Sequence, residues 1–185
     1  MKVYDEITPK LEAFIQAQKM FFVATAPLSE DGHVNLSPKG YDSFAVLGPT
    51  EVAWLDLGGS GIETMAHLKE NGRIVVMFCA FEGAPLILRL FGKGEAVQFD
   101  DPRFPALLGK FPRFDKARAI VTIKLDRIQD SCGWGVPFMD FRDERDQLKR
   151  TWDHAYKKHG DAVDQDFYDS NATSIDGLPG MERPK

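Results

Sequence analysis

The stretch Leu55–Phe78, "LDLGGSGIETMAHLKENGRIVVMF", reads as strand, glycine turn, helix and strand. Gly58, Gly59 and Gly61 stand where the strand hands over to the helix. Turns of this kind gather anions, because unpaired N–H groups and the positive helix end face one point. The spacing fits neither familiar phosphate signature. G-x-x-x-x-G-K-[ST] is absent, and the three glycines do not fall as G-x-G-x-x-G. Whether this is one unit of a parallel sheet or an isolated helix in a hairpin-built fold depends on what surrounds it.

Upstream, hairpin signals dominate. After Pro9, "KLEAFIQAQKM" places Leu11, Phe14, Ile15 and Gln18 at helical spacing. "FFVATAPL" reads as a buried strand that Asp31-Gly32 turns back into "HVNLSPKG", which Pro38 is expected to stop. "YDSFAVLGPTEVAWLDL" gives two short strands around Gly48-Pro49. Downstream, "RIVVMFCAF" and "LILRLFGKGEAVQF" are strands joined by the turn "EGAP". A proline-interrupted loop with one short helix, "DDPRFPALLGKFPRFDKAR", leads into the alternating strand "AIVTIKLDRIQD". The βαβ pattern therefore occurs once. Six or seven strands, joined mostly by hairpins, favour a small antiparallel barrel over a doubly wound sheet.

"RDERDQLKRTWDHAYKKHG" is a charged helix whose apolar stripe is Leu148, Trp152 and Tyr156. The last two dozen or so residues are polar and turn-rich, and are expected to lie extended over the surface or loosely ordered. Residues 1–137 are expected to form the barrel domain, and 138–185 a helix and tail without a core of their own.

Composition narrows the function classes. Of 185 residues, 43% are hydrophobic and 28% charged, which suits one soluble domain. A net charge of −5 and the lack of a basic run argue against a nucleic-acid partner. No apolar run approaches the roughly 20 residues that span a bilayer. Two lone cysteines, Cys79 and Cys132, without a signal peptide point to the cytoplasm. His33, His67, His154 and His159 form no metal pattern.

Four segments can carry chemistry. Around the glycine turn, Ser60 can cap the helix with Glu63 closing a capping box, or Ser60 and Thr64 can both face a bound phosphate. Arg89, between Leu88 and Leu90, either pairs with a carboxylate, faces solvent from an edge strand, or meets an anionic ligand. In "NLSPKGYDSF", Ser37 and Lys39 sit at a rigid strand end, and Lys39 is either a solvated turn lysine or points into a cleft. In "DSCGWGVP", Trp134 either packs or borders an aromatic ligand. No nucleophile triad or catalytic carboxylate pair is readable, so the chemistry would come from a cofactor.

In their order, "HVNLSPKGYDSF", "SGIETMAHLKENGRIVVMF", "ILRLFGKGEAV" and "DSCGWGVP" resemble the flavin-binding split-barrel proteins related to pyridoxamine 5′-phosphate oxidase. The resemblance implies a mostly β fold, an antiparallel split β-barrel of Greek-key type with short flanking helices and a C-terminal helix. It implies a homodimer with FMN in clefts between the subunits. Ser60, Gly61, Ile62, Glu63 and Thr64 would surround the flavin phosphate, with Arg89 as charge partner. Asn35, Leu36, Ser37 and Lys39 match the strand beside the isoalloxazine and ribityl chain, and Trp54 and Leu55 the strand leading to the phosphate turn. Trp134 matches a region that closes the cleft from the other subunit.

The implied activity is hydride transfer through the flavin N5 to or from a small molecule, with NAD(P)H as the default electron donor. A deazaflavin reductase, a non-catalytic flavin or haem carrier or sensor, and a cofactor-free dimer are the alternatives. The pattern departs from the vitamin B6 oxidases at two informative places. Glu63 and Thr64 stand where those enzymes carry an Arg-Lys pair, and their C-terminal substrate elements are missing. Pyridoxamine phosphate is therefore not the expected substrate.

Overall fold

The computed structural model describes residues 1–111, 114, 117–160 and 162–183. The elements run β1 (Val3–Tyr4), α1 (Pro9–Ala17), β2 (Phe21–Thr25), β3 (Asn35–Lys39), β4 (Phe44–Gly48), β5 (Glu51–Asp56) and α2 (Glu63–Asn71). They continue with β6 (Arg73–Cys79), β7 (Ile87–Gln98), α3 (Phe104–Leu108), β8 (Ala119–Ser131), α4 (Gln147–His159) and α5 (Ala162–Ser170). Pro112, Arg113, Asp115 and Lys116 of the proline-interrupted connection lie outside the described residues.

All pairings between these strands are antiparallel, in the order β3-β2-β6-β7-β8-β5-β4, with β1 added on β8. The two edge strands of that path, β3 and β4, are consecutive in sequence, and only Gly40–Ser43 separates them. So short a link spans at most roughly 17 Å. The opposite edges must therefore approach each other, and the sheet curls into a barrel. Tyr41 and Asp42, both at positive φ, make this tight connection. The antiparallel barrel expected from the hairpin signals is the fold observed.

Its interior is filled from alternate strand positions. Val23, Val52, Trp54, Val76, Leu88, Leu90 and Ile123 are fully buried there. α1 plugs one end with Leu11 and Ile15, its start capped by Thr8 and primed by Pro9. The long β7–β8 ribbon bends at a register shift between Phe91 and Gly92. A side chain at Gly92 would meet the Lys124 carbonyl oxygen at 2.2 Å, so only glycine admits this approach. α2 ends at Gly72 in the left-handed conformation, as its sequence predicts.

Four expectations need correction. Pro38 does not stop its strand, because β3 is an edge strand where a missing N–H faces away from the ladder. The N-terminal residues add a short strand that the pattern gave no room to show, since Val3–Tyr4 is too brief for periodicity. The charged helix begins only at Gln147, and of its expected stripe Trp152 and Tyr156 pack against the second apolar cluster. Finally, the tail is docked. Val163, Tyr168 and Met181 pack with Ile62, Met65 and Ala119, and Asn171 and Ser174 are also buried. Among the described residues no helix is long and apolar enough to cross a membrane.

Candidate functional site

β5 ends at Asp56, and the chain then crosses Leu57–Ile62 without regular structure before α2 begins. Gly58 and Gly61 take positive φ, 80° and 90°, which lets the turn fold tightly over the strand end. The residue preceding α2 is Ile62, and no side chain caps the helix start. The capping box expected of Ser60 and Glu63 is thus absent, because the helix starts two residues later than that reading needs. The first N–H groups of α2 are left without a side-chain acceptor.

A cavity of ≈ 70 Å³ opens at this turn, lined by Asn35, Ser37, Lys39, Asp56, Gly58, Gly59, Ser60, Gly61, Ile62, Glu63, Thr64 and Arg118. The fold thereby brings together ten of the residues singled out in the sequence. Ile62 contributes through its backbone, since its side chain is buried in the cluster with Met65 and Met181. Leu36 is exposed on the opposite face of β3. Trp54 lies in the barrel interior and Leu55 in the cluster beneath α3, so neither side chain reaches the cavity. Arg89 sits on the face of β7 opposite Leu88 and Leu90 and donates to the Ser131 hydroxyl at 3.0 Å. Arg89 and Trp134, the latter 83% exposed, line no part of this cavity in their own chain.

The sequence reading missed the two most buried charges. Arg118 Nη2 donates to Asp56 Oδ2 at 2.8 Å, and both residues are almost wholly buried. The pair brackets the turn. Asp56 Oδ1 accepts from the Gly58 N–H at 3.3 Å, while Arg118 Nη1 donates to the Gly61 carbonyl at 3.1 Å and to Asn171 Oδ1 at 2.7 Å. Burial alone would raise the Asp56 pKa, but the charges of Arg118 and Lys39 and the hydrogen bonds outweigh it and hold the carboxyl below its usual range. Arg118 Nε is buried and has no hydrogen-bond partner among the described residues. A usable signal was present: Asp56 and Arg118 both adjoin strongly apolar strands, as Arg89 does within one.

A neutral polar chain ties β3 to α2. Asn35 Nδ2 donates to Thr64 Oγ1 at 2.8 Å and to Thr25 Oγ1 at 3.1 Å, and Ser37 Oγ donates to Asn35 Oδ1 at 3.1 Å. Thr25 Oγ1 in turn lies 2.9 Å from Nδ1 of His67, which is fully buried in α2. Burial lowers the His67 pKa against the opposing fields of Asp176, Glu70 and Glu63, so the ring is held neutral. The network fixes the Asn35 amide, and Ser37, whose hydroxyl proton it occupies, also lines the cavity.

Lys39 also lines a larger cavity, of ≈ 490 Å³, between the end of α1, the β3–β4 link and residues 139–145. Met20, Tyr41, Phe81, Met139 and Phe141 give it apolar walls, with Lys19, Glu82 and Arg145 among its charged lining.

The sequence profile described as pyridoxamine 5′-phosphate oxidase matches residues 7–132. The chain belongs to the pyridoxamine 5′-phosphate oxidase family. A family protein of Aspergillus flavus, ustO, is 36% identical over 192 residues, covering 96% of this chain and 77% of that protein. Among solved structures, HupZ of Group A Streptococcus superposes with a TM-score of 0.55 at 21% identity, over 72% of this chain and 99% of that one. A candidate oxidase of the same name from Lactobacillus delbrueckii gives 0.52 at 17% identity, over 70% and 99%. These two likenesses are of fold. The match spans the barrel and the glycine turn, whereas α4, α5 and the docked tail lie beyond the family profile.

Proposed function

We propose that the chain is an FMN-binding flavoprotein that oxidises or reduces a small molecule and works as a homodimer. The observation that carries the reading is the turn itself. An uncapped helix start, two glycines at positive φ and the lysine Lys39 converge on one cavity, beside a buried guanidinium whose Nε–H has no partner among the described residues. These groups suit a phosphate, since backbone N–H donors and cations are what bind one. When bound, FMN supplies hydride or electron transfer through its isoalloxazine.

The chain's own residues supply binding and orientation. Asn35 and Ser37, fixed by Thr25 and Thr64, offer hydrogen bonds along β3. Lys39 stands between the small cavity and the large one, so a group in either feels its charge. The larger cavity is the proposed place of the small molecule, and its apolar and aromatic walls suit a flat or hydrophobic one. Trp134, Phe138, Met139 and Phe141 are exposed close together in sequence, an apolar surface of the kind that marks an interface. This supports the homodimer. Pyridoxamine phosphate is not the proposed substrate, because the C-terminal substrate elements of the vitamin B6 oxidases are missing here.

The test is spectroscopic. The purified protein should be yellow, absorbing at about 450 nm, or should become so on adding FMN. Protein that stays colourless and fails to quench FMN fluorescence would overturn the reading, and a Soret band would assign haem instead. Bleaching by NADH or NADPH would identify a reductase.

A further inference from the structure

The helix start that would receive a flavin phosphate already carries an anion. Glu63 is the first residue of α2, and its carboxylate folds back over the turn: a Cβ built on Gly61 would lie 2.6 Å from Glu63 Oε2. That position is favourable for a carboxylate, since it faces the positive end of the helix. Oε1 also accepts from the Ile175 N–H at 3.4 Å, so the segment after α5 helps to hold it there.

That segment is anchored on both sides of the turn. Asn171 accepts from Arg118, Lys69 donates to the Gly180 carbonyl, and the Gln98 side chain bonds the backbone of Glu182 in both directions, at 2.8 and 3.1 Å. At the other end, Asp176 accepts from the His33 N–H at 2.8 Å. The carboxylate is therefore backed by a fixed strap and not by mobile solvent alone.

The charges around the cavity then balance. Among the described lining residues, Arg118 is matched by Asp56, which leaves Lys39 facing Glu63. A phosphate monoester brings a charge of about −1.5 to −2 at pH 7. It must either lie against the Glu63 carboxylate or displace it from the helix start. An unphosphorylated flavin meets neither cost, because its ribityl hydroxyls carry no charge.

We propose that Glu63 is a specificity-determining residue, held over the turn by the C-terminal strap, that opposes a dianionic phosphate and so narrows the preference for FMN over riboflavin. The inference rests on the flavin reading of this site. It names what Glu63 does to ligand choice: it lowers the affinity for the phosphorylated flavin and leaves that for an uncharged one unchanged.

The experiment compares FMN and riboflavin dissociation constants, by fluorescence quenching, for the full chain and for Glu63→Gln and Glu63→Lys. Glutamine keeps the shape and removes the charge, and a thermal melt of each variant verifies folding. Glu63→Gln should tighten FMN by about tenfold at low ionic strength and leave riboflavin within about twofold. Glu63→Lys should tighten FMN further, and both gains should shrink as salt rises. Unchanged or weaker FMN binding in both variants, or an equal change for the two ligands, would overturn the proposal while leaving the flavin site standing. Failure of wild type and variants alike to bind either ligand would overturn the flavin reading, and the proposal with it.

Discussion

The Asp56–Arg118 pair offers the sharpest test of how the turn is held, because its two halves should fail differently. Asp56→Asn leaves Arg118 charged, about 4% exposed and facing an amide. Breaking one side of a buried pair costs about 3–5 kcal/mol. For a chain of this size each kcal/mol lowers Tm by about 2–4 °C, so the melt should fall by roughly 6–20 °C. A guanidinium cannot shed its proton, so acid should not relieve the loss. Arg118→Met differs: it leaves a carboxyl that can become neutral, and burial then raises the Asp56 pKa unopposed by the guanidinium.

The signs follow. In the wild type the Asp56 pKa is depressed, so its contribution is present above the ordinary carboxyl value of 3.8 and is lost as pH falls through the folded value. In Arg118→Met the guanidinium's share of that depression is gone, so the folded pKa lies above the wild-type one and the variant's deficit narrows as acid neutralises the carboxyl. The deficit of Arg118→Met relative to wild type should therefore shrink from pH 7 to about pH 4.5, whereas that of Asp56→Asn should not. Circular-dichroism melts and urea midpoints at the two pH values measure both, with unchanged m confirming that only stability moved. Losses below about 1 kcal/mol, or identical pH dependence in the two variants, would refute the account of a buried pair that clamps the turn.

Three further outcomes follow from other parts of the chain. Lys39→Ala should weaken FMN about tenfold and riboflavin hardly at all, measured by fluorescence quenching, because Lys39 is the cavity cation that the Asp56–Arg118 pair leaves over. His67 has its pKa depressed below 6.5, first by burial, so wild-type stability should fall as pH drops below about 6.5 and through the folded value. His67→Gln should lose that segment of the pH–Tm curve, whatever its effect at pH 8. Gly92→Ala should cost about 1–3 kcal/mol or more in a denaturant melt, since the new methyl would meet the Lys124 backbone and could not move it without parting β7 from β8.

The barrel was legible because its signals are local. Asp31-Gly32 and Gly48-Pro49 announce hairpins within a few residues, and the βαβ pattern around Gly58–Gly61 fails to recur, which is visible without any structure. The glycine turn was legible for the same reason, and ten residues named from the sequence line one cavity. What was not legible depends on distance along the chain. Arg118 meets Asp56 across 62 residues and Asn171 across 53, and no spacing rule joins those positions. The tail looked loose because polar residues outnumber apolar ones. Its docking rests on Tyr168 and Met181 and on side-chain bonds from Arg118, Lys69 and Gln98. Arg89, a charge within an apolar strand, stands on the outer face beside Ser131 and away from this cavity in its own chain.

These distant contacts explain why the turn can do without a helix cap. A capped start would satisfy the first N–H groups of α2 from within and leave little for a ligand. Here the turn gets its rigidity from below, where Asp56 grips Gly58 and Arg118 grips Gly61, and from the side, where Asn171 fixes the guanidinium. The N–H donors remain available because the restraint comes through other atoms. The arrangement requires Gly61 to keep φ near +90° and requires the strap to stay docked, so the region beyond the family profile supports a site that lies within it. A barrel cut off after Ser131 would keep every strand but lose Asn171 and the Ile175 N–H, removing one hydrogen bond from Arg118 and the one that Glu63 accepts from the strap. The segment beyond Ser131 is thus a structural part of the glycine turn.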